Sequence, residues 1–187
     1  MITLVFFLEE ASAEALLEVL MRRMIVQKEN IFVRYIVFEG KQDLEKKLAR
    51  KLRGWKLPNS KFIVLRDQDS ADCKTVKFNL LKLCPEDKKP HTLVRIACHE
   101  LESWYLGDLD AVEHGLGLSG IAKYQGKNRY RNPDSIQAPS AELERLTNRN
   151  YQKISGSRAI GEYLNLNNTR SNSFNVFITG IKKILAI

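Results

Sequence analysis

The chain has 187 residues, of which 44% are apolar and 28% are charged, and its formal net charge is +8. This composition is ordinary for a soluble globular protein and excludes disordered, collagen-like and coiled-coil chains. At roughly 100–200 residues per domain, the length predicts one domain with an elaboration or at most two small ones. No apolar run approaches the ~18 residues of a membrane span, so we expect no membrane segment.

Strand and helix signals alternate through the first 116 residues. Apolar, β-branched and aromatic runs predict four strands, at residues 2–9, 31–38, 61–66 and 92–97. Helical apolar spacing predicts helices at residues 13–21, 43–55, 73–83 and 100–114. Ser12 and Asp72 are the predicted N-caps of the first and third of these helices. The alternation predicts an α/β fold, with a mostly parallel four-stranded sheet flanked by helices on both faces.

The composition changes after residue 116. Residues 123–140 are rich in Asn, Pro, Gly and basic residues, which predicts a long loop. Short helices are predicted at residues 141–146, 158–164 and 174–185. We interpret residues 1–116 as the α/β domain and residues 117–187 as a basic helical appendage packed on the same core.

The basic charge is uneven along the chain. Residues 1–116 hold 19 lysines and arginines against 18 acidic residues, whereas residues 117–187 hold 11 against 4. A neutral part joined to a basic part favours a polyanionic partner. The three cysteines are an odd number without a C-x-x-C pair, which indicates reduced thiols in a cytoplasmic protein and not a disulfide framework or a zinc site.

Carboxylates collect where the predicted strands end. They are Glu9 and Glu10 after the first strand, Asp67 and Asp69 after the third, and Glu100 and Glu102 after the fourth. An open parallel sheet binds ligands at the carboxyl ends of its strands, and Asp-x-Asp in extended chain places both side chains on one side. Mg²⁺ or Mn²⁺ would offset the charge that these oxygens concentrate. Taken alone, Asp67 and Asp69 are more typical of a turn or a helix cap.

A glutamate after the first strand and Asp-x-Asp after the third, in a four-stranded α/β domain, resemble the TOPRIM domain of topoisomerases, bacterial primases and OLD-type nucleases. The resemblance implies a Rossmann-like sheet, with Glu9 as general acid/base or metal ligand and Asp67 and Asp69 as the metal-binding pair. In TOPRIM domains a glycine follows this glutamate, whereas Glu10 stands here. Which of Glu9 or Glu10 faces the site is therefore left open.

Longer strings resemble a small, functionally uncharacterised bacterial TOPRIM-like family related to OLD-type nucleases. These strings are LEEASAEALL, VLRDQDSADC, RIACHELESWYLGD and YQKISGSRAIG. Such proteins are often encoded beside an ATPase of the ABC/SMC-like type. The resemblance implies an ATPase partner and a role in phage defence or repair.

Two basic stretches lie in the last 71 residues. In the first, cations alternate with tyrosines, at Lys123, Lys127, Arg129 and Arg131. This pattern suits phosphate contacts and stacking on unpaired bases, although a solvated loop anchored by its tyrosines would look the same. In the second, Lys153 and Arg158 flank a Ser-Gly-Ser at a predicted helix start, where a phosphate can bind. The Walker A spacing is absent from the sequence, which excludes an NTPase of that type.

Together these residues favour a metal-dependent phosphodiester hydrolase acting on DNA or RNA. Glu9, Asp67 and Asp69 would bind Mg²⁺ or Mn²⁺, and Glu100 or Glu102 would complete a second metal position. The main alternative is a non-catalytic subunit that binds nucleic acid or an ATPase. A small-molecule phosphatase or nucleotide-processing enzyme fits the basic loop less well, and a homodimer is left open.

Overall fold

Four apolar runs form a sheet in the computed structural model, which describes residues 1–26, 28 and 30–186. All neighbouring strands are parallel, in the order β2-β1-β3-β4. The central strands β1 and β3 are the most deeply buried, which is why they are the most continuously apolar. The predicted α/β fold is confirmed. The strands are β1 (Ile2–Leu8), β2 (Ile31–Val37), β3 (Ser60–Asp67) and β4 (Thr92–Ala97).

Helices follow each strand and make up most of the C-terminal part. They are α1 (Ala11–Met24), α2 (Lys41–Gly54), α3 (Cys73–Leu83), α4 (Glu102–Leu106), α5 (Leu109–Gly115), α6 (Pro139–Leu146), α7 (Lys153–Gly161) and α8 (Asn172–Leu185). The predicted long loop between α5 and α6 contains three short 3-10 turns, at Ala122–Gly126, Asn128–Tyr130 and Pro133–Ser135. Within the described ranges, none of the helices combines the length and the apolar character needed to cross a bilayer.

The predicted helix over residues 100–114 is wrong as one element, because it breaks into α4 and α5. Asp108 caps α5, and its carboxylate accepts a hydrogen bond from the Ala111 backbone N at 3.3 Å. The same side chain accepts a second bond from the Asn165 backbone N at 2.8 Å. A tertiary contact thus fixes Asp108 outside helical geometry, and the local apolar spacing does not reveal it.

The cap of α1 and the start of α7 also differ from the prediction. The residue before α1 is Glu10, in extended conformation, and the Ser12 hydroxyl donates a hydrogen bond to its carboxylate. Ser12 is therefore inside the helix and does not cap it. Helix α7 begins at Lys153 and not at Arg158. Gly156, which suggests a helix breaker, lies inside the helix, where it is buried against the ring of Tyr151.

The alternating side chains of β1 point into two separate apolar layers. Val5 and Phe7 belong to the core beneath α2 and α3. Leu4, Phe6 and Leu8 belong to the core that also contains α1 and the buried residues of α4 to α8. Each face of the sheet is thus covered by helices, and the C-terminal helices share their core with α1.

Helices α5 and α7 cross at Gly115. A Cβ atom built there would lie 2.7 Å from the Ile160 Cα and 2.8 Å from the Ala159 carbonyl oxygen. Because the obstructing atoms are backbone, Gly115→Ala should lower the free energy of unfolding by about 1–3 kcal/mol. Urea denaturation measures this loss. Gly54→Ala is the control, since nothing lies within 4 Å of its Cβ position, and equal stabilities of the two variants would contradict the close crossing.

Candidate functional site

Strands β1, β3 and β4 end side by side at the carboxyl edge of the sheet. Leu8 is in register with Leu65, and Asp67 is in register with Ala97. Glu9, the first residue after β1, therefore stands beside the end of β3. Its Oε2 accepts a hydrogen bond from the Asp67 backbone N at 3.1 Å. The sheet thus brings together Glu9 and Asp67, because β1 and β3 are neighbours in the strand order.

The carboxyl group of Asp67 is enclosed among other carboxylates, although the residue keeps some solvent exposure. Burial raises the pKa of Asp67 well above its ordinary value of 3.8, and the negative charges of Glu10, Glu102 and Glu9 raise it further. A hydrogen bond from the Leu101 backbone acts in the opposite direction. We call Glu9, Glu10, Asp67 and Glu102 the acidic edge.

Glu102 is fully buried at the start of α4. Its Oε1 accepts a hydrogen bond from the Tyr151 hydroxyl at 2.9 Å, whereas its Oε2 is buried without a hydrogen-bond partner in the described part of the chain. Burial raises the pKa of Glu102, and the charge of Lys153 opposes this shift. An unpaired buried carboxylate oxygen is unfavourable, and a cation is a natural partner for it.

Lys153, the first residue of α7, brings a positive charge to the acidic edge. Its Nζ lies 3.4 Å from the Glu10 Oε2. Burial lowers the pKa of Lys153, but the carboxylates of Glu102, Glu10 and Asp67 outweigh it, and the net shift is upward. The sequence predicts only a phosphate contact for Lys153. Its place among the acids cannot be read from local spacing, because 143 positions separate it from Glu10.

Asp69 faces a different environment from Asp67. Strand β3 ends at Asp67, and the backbone of Asp69 is left-handed, with φ of 57°. The extended alternation that predicts a common direction for the two side chains therefore stops before Asp69. The Asp69 Oδ2 lies 2.8 Å from the Lys41 Nζ and 3.7 Å from the Arg66 Nη2.

Arg66 lies between Glu9 and Asp69. Its Nε is 3.8 Å from the Glu9 Oε2, and its Nη1 is 2.7 Å from the Glu45 Oε1. Glu9, Asp67 and Asp69 thus do not converge on one point, which corrects the predicted arrangement of the triad. Among the residues with described positions, no three or more His, Cys, Asp or Glu side chains are arranged to hold a metal ion. The sequence reasoning missed Arg66, although it directly precedes Asp67.

Glu100 is hydrogen-bonded to α6 and not to a residue of the acidic edge. Its Oε2 accepts a hydrogen bond from the Ser140 backbone N at 2.7 Å, in the first turn of α6. Such a bond satisfies one of the free N–H groups at a helix start. Glu100 therefore fastens α6 to the end of β4, while Glu102 belongs to the acidic edge.

Three of the six predicted nucleic-acid contacts are held in ion pairs, one of them the pair of Lys153 with Glu10. Arg129 pairs with the buried carboxylate of Glu142, with 2.8 Å between Nη2 and Oε2, and Arg158 pairs with Glu18. The tyrosine-anchored alternative for this loop gains support from Tyr130, which is buried and donates a hydrogen bond to Glu142. These arginines are thus less available to a phosphate than their sequence pattern suggests.

Lys123 and Lys127 line a cavity of 430 Å³ beside Tyr124. The Lys127 Nζ lies 4.2 Å from the centre of the Tyr124 ring, and the Lys123 Nζ lies 5.4 Å from it. Lys123, Lys127 and Arg131 form no ion pair with any described residue. These three cations, unlike Arg129 and Arg158, are available to an anionic ligand.

Comparison with known families gives a match to one described as a domain of unknown function (DUF4276), over residues 8–182. The matched range begins at the end of β1 and includes the whole acidic edge and the C-terminal helices up to Lys182. No curated protein and no solved structure matches the chain.

Proposed function

The chain belongs to the DUF4276 family, and we propose that it is a metal-dependent phosphodiester hydrolase of TOPRIM type acting on DNA or RNA. The main support is the acidic edge, where the carboxylates of Glu9 and Glu10 after β1 and of Glu102 in α4 lie near enough to Asp67 to raise its pKa. The proposal includes an ABC/SMC-like ATPase partner in phage defence or repair, which follows from the sequence resemblance.

The donor chemistry of the acidic edge fits a hard divalent cation. Mg²⁺ and Mn²⁺ take oxygen ligands, usually a few carboxylates together with substrate phosphates. Asp67 and Glu102, with Glu10 or Glu9, would hold the ion, and the Oε2 of Glu102 has no hydrogen-bond partner among the described residues. A bound ion would stabilise charge on the phosphoryl oxygen and lower the pKa of the attacking water.

Two predicted ligands have smaller roles in this proposal. Asp69 is neutralised by Lys41 and Arg66, and Glu100 is occupied at the start of α6. Like charges keep carboxylates apart until a cation offsets their repulsion. Binding would therefore require the Glu10, Asp67 and Glu102 side chains to rotate towards one another.

Other residues of the chain would orient the acids and the substrate. Glu9 is held by the Asp67 backbone and by Arg66, so its carboxylate has a fixed direction. Lys153 adds a positive charge beside Glu10, where it can attract a phosphate. Lys123 and Lys127 have no ion-pair partner among the described residues. They would contact the phosphates of the nucleic acid away from the cleaved bond.

A non-catalytic nucleic-acid- or ATPase-binding subunit is the second candidate, and Arg66 favours it. With Arg66 between Glu9 and Asp69, and Lys153 beside Glu10, cations of the chain itself offset part of the acidic charge. In such a protein the sheet would be a scaffold, and the acids would serve its internal structure.

Incubation with plasmid and with labelled single-stranded DNA and RNA separates the two candidates. We expect cleavage in Mg²⁺ or Mn²⁺ and none in EDTA. Absence of cleavage with either metal, with and without the ATPase, in a protein that still binds the nucleic acid would contradict the hydrolase and favour the binding subunit.

Added Mg²⁺ or Mn²⁺ should stabilise the fold, because only the folded chain gathers these carboxylates. An ion at 100 times its Kd stabilises by about 2.7 kcal/mol. Thermal unfolding at increasing metal concentration measures the effect, which should be much smaller in Glu102→Gln. Glu144→Gln removes the same charge at an exposed position of α6 and should keep the full shift. Equal metal-induced shifts in both variants would exclude Glu102 as a ligand.

A further inference from the structure

The layer formed by α2 and α3 is strongly basic. The two helices contain nine lysines and arginines against two acidic residues. Lys41 pairs with Asp69, and Lys47 with Asp43. The others are exposed and form no ion pair with a described residue. We call these seven the basic face: Lys46, Arg50, Lys51, Arg53, Lys74, Lys77 and Lys82.

The helices on the opposite face of the sheet are balanced in charge. Helices α1 and α4 to α8 together contain seven lysines and arginines and seven acidic residues. Counted along the sequence, the basic excess falls in residues 117–187. The basic residues on α2 and α3 are a second concentration, which that count hides because most acids of the first 116 residues lie at strand ends and on other helices.

The basic face lies on two helices that begin near the carboxyl ends of the strands. Helices α2 and α3 pack against each other over a shared core. Helix α2 begins at Lys41, which contacts Asp69, and α3 begins one residue after its cap, Asp72. A polyanion lying along the two helices would therefore reach the carboxyl ends of the strands.

Unpaired cations at this density favour a polyanionic partner. Like charges repel one another on the folded chain, and a phosphate backbone that replaces their counterions relieves the repulsion. Acidic proteins and nucleic acids would both provide this charge. The aromatic residue within the face distinguishes between them.

Phe78 is 56% exposed in the middle of the basic face. The Lys82 Nζ lies 4.2 Å from the centre of its ring. An exposed aromatic ring among cations is the combination by which proteins stack unpaired bases while holding their phosphates. A nucleic-acid strand offers a base at every step for such stacking, whereas an acidic protein would need an aromatic or apolar side chain at this one position.

We infer that the basic face binds the backbone of a single-stranded nucleic acid, with Phe78 stacking on a base. The choice of nucleic acid over another polyanion rests partly on the proposed function. For that function, the basic face would be the surface that holds the substrate outside the acidic edge. The face is distinct from the predicted contacts at Lys123 and Lys127, which lie in the loop after α5.

Fluorescence anisotropy of a labelled oligonucleotide in EDTA tests this surface. In the variant Lys46→Gln/Arg50→Gln/Lys77→Gln we expect affinity to fall at least tenfold, and the salt slope of binding to flatten by about two. Glutamine is a good helix former, so the helices should persist, and circular dichroism checks this. Phe78→Ala should weaken single-strand binding about fivefold or more, with a smaller effect on duplex.

The matched control is Arg149→Gln/Arg170→Gln/Lys183→Gln. These cations are exposed and lie outside α2 and α3, and the control changes the net charge by the same amount. Its affinity should stay within twofold of wild type. Equal losses in the two triple variants, or tighter binding of poly-glutamate than of the oligonucleotide, would overturn the inference.

Binding in EDTA also separates this inference from the proposed function. If the chain binds through the basic face and never cleaves, the hydrolase proposal fails and the surface stands. If it cleaves and the face variant binds as wild type does, the surface fails and the hydrolase proposal stands.

Discussion

Asp67→Asn is expected to remove metal-dependent hydrolysis and, in the same variant, to raise the free energy of unfolding measured in EDTA. The loss of activity should exceed the 10–100-fold that loss of an outer-shell partner of a metal ligand costs. Asparagine has nearly the same shape as aspartate, and the backbone N of residue 67 can still donate to Glu9, so the loop should keep its path. The gain in stability should follow because one of the crowded carboxylates is gone.

The gain in stability should depend on pH. The native pKa of Asp67 lies well above its ordinary 3.8, so the folded chain holds this proton more tightly than the unfolded chain does. The tighter binding of the proton stabilises the folded wild type at low pH. This stabilisation is lost as pH rises from 3.8 through the native pKa of Asp67. Urea denaturation of both proteins should show almost no difference below pH 3.8 and a growing advantage of Asp67→Asn above it.

Asp87→Asn is the control for both measurements, because it removes a carboxylate that is mostly exposed. It should cleave as wild type does and show no such pH-dependent gain. Cleavage that persists in Asp67→Asn would remove Asp67 from the catalytic site. Unchanged stability would show that the acids around Asp67 do not strain the fold.

Trp104→Ala should lower the free energy of unfolding by about 3–5 kcal/mol. The Trp104 side chain is buried between α4 and α8, with ring centres 5.2 Å from Phe174 and 5.1 Å from Phe177. Its Nε1 donates a hydrogen bond to the Ser173 Oγ at 2.9 Å. The substitution would leave a cavity and remove this buried bond, so both packing and hydrogen bonding are lost.

Urea denaturation followed by circular dichroism measures the Trp104→Ala effect. Trp104→Phe should cost less, because it keeps an aromatic ring in the same space and loses mainly the indole hydrogen bond. A loss below about 1 kcal/mol in Trp104→Ala would mean that α4 does not depend on α8 for its position.

Local sequence patterns were sufficient for the elements of the sheet. The strand at residues 92–97 and the helix at residues 73–83 coincide with β4 and α3, and the Thr75 backbone N donates to the predicted cap Asp72 at 2.8 Å. Apolar alternation and capping act between near neighbours, so one sequence reveals them. The break between α4 and α5 was missed because Asp108 is held by Asn165, far along the chain.

The candidate site was only partly predictable for the same reason. The sequence places Glu9 and Asp67 at neighbouring strand ends, and the structure brings them together. Strand signals could not predict the left-handed backbone of Asp69 or the direction of Arg66. The approach of Lys153 and Tyr151 to the acids depends on how α7 packs against α1, which no local pattern specifies.

The hydrogen bond between Tyr151 and Glu102 joins the C-terminal helical part to the acids of the α/β part. A fragment that stopped at residue 116 would retain all the predicted acids. It would lack the Tyr151 hydroxyl that donates to Glu102 and the Lys153 ammonium group that pairs with Glu10. Engineering a smaller version of this protein would thus have to supply replacements for both, because the last third of the chain tunes groups that the first two thirds provide.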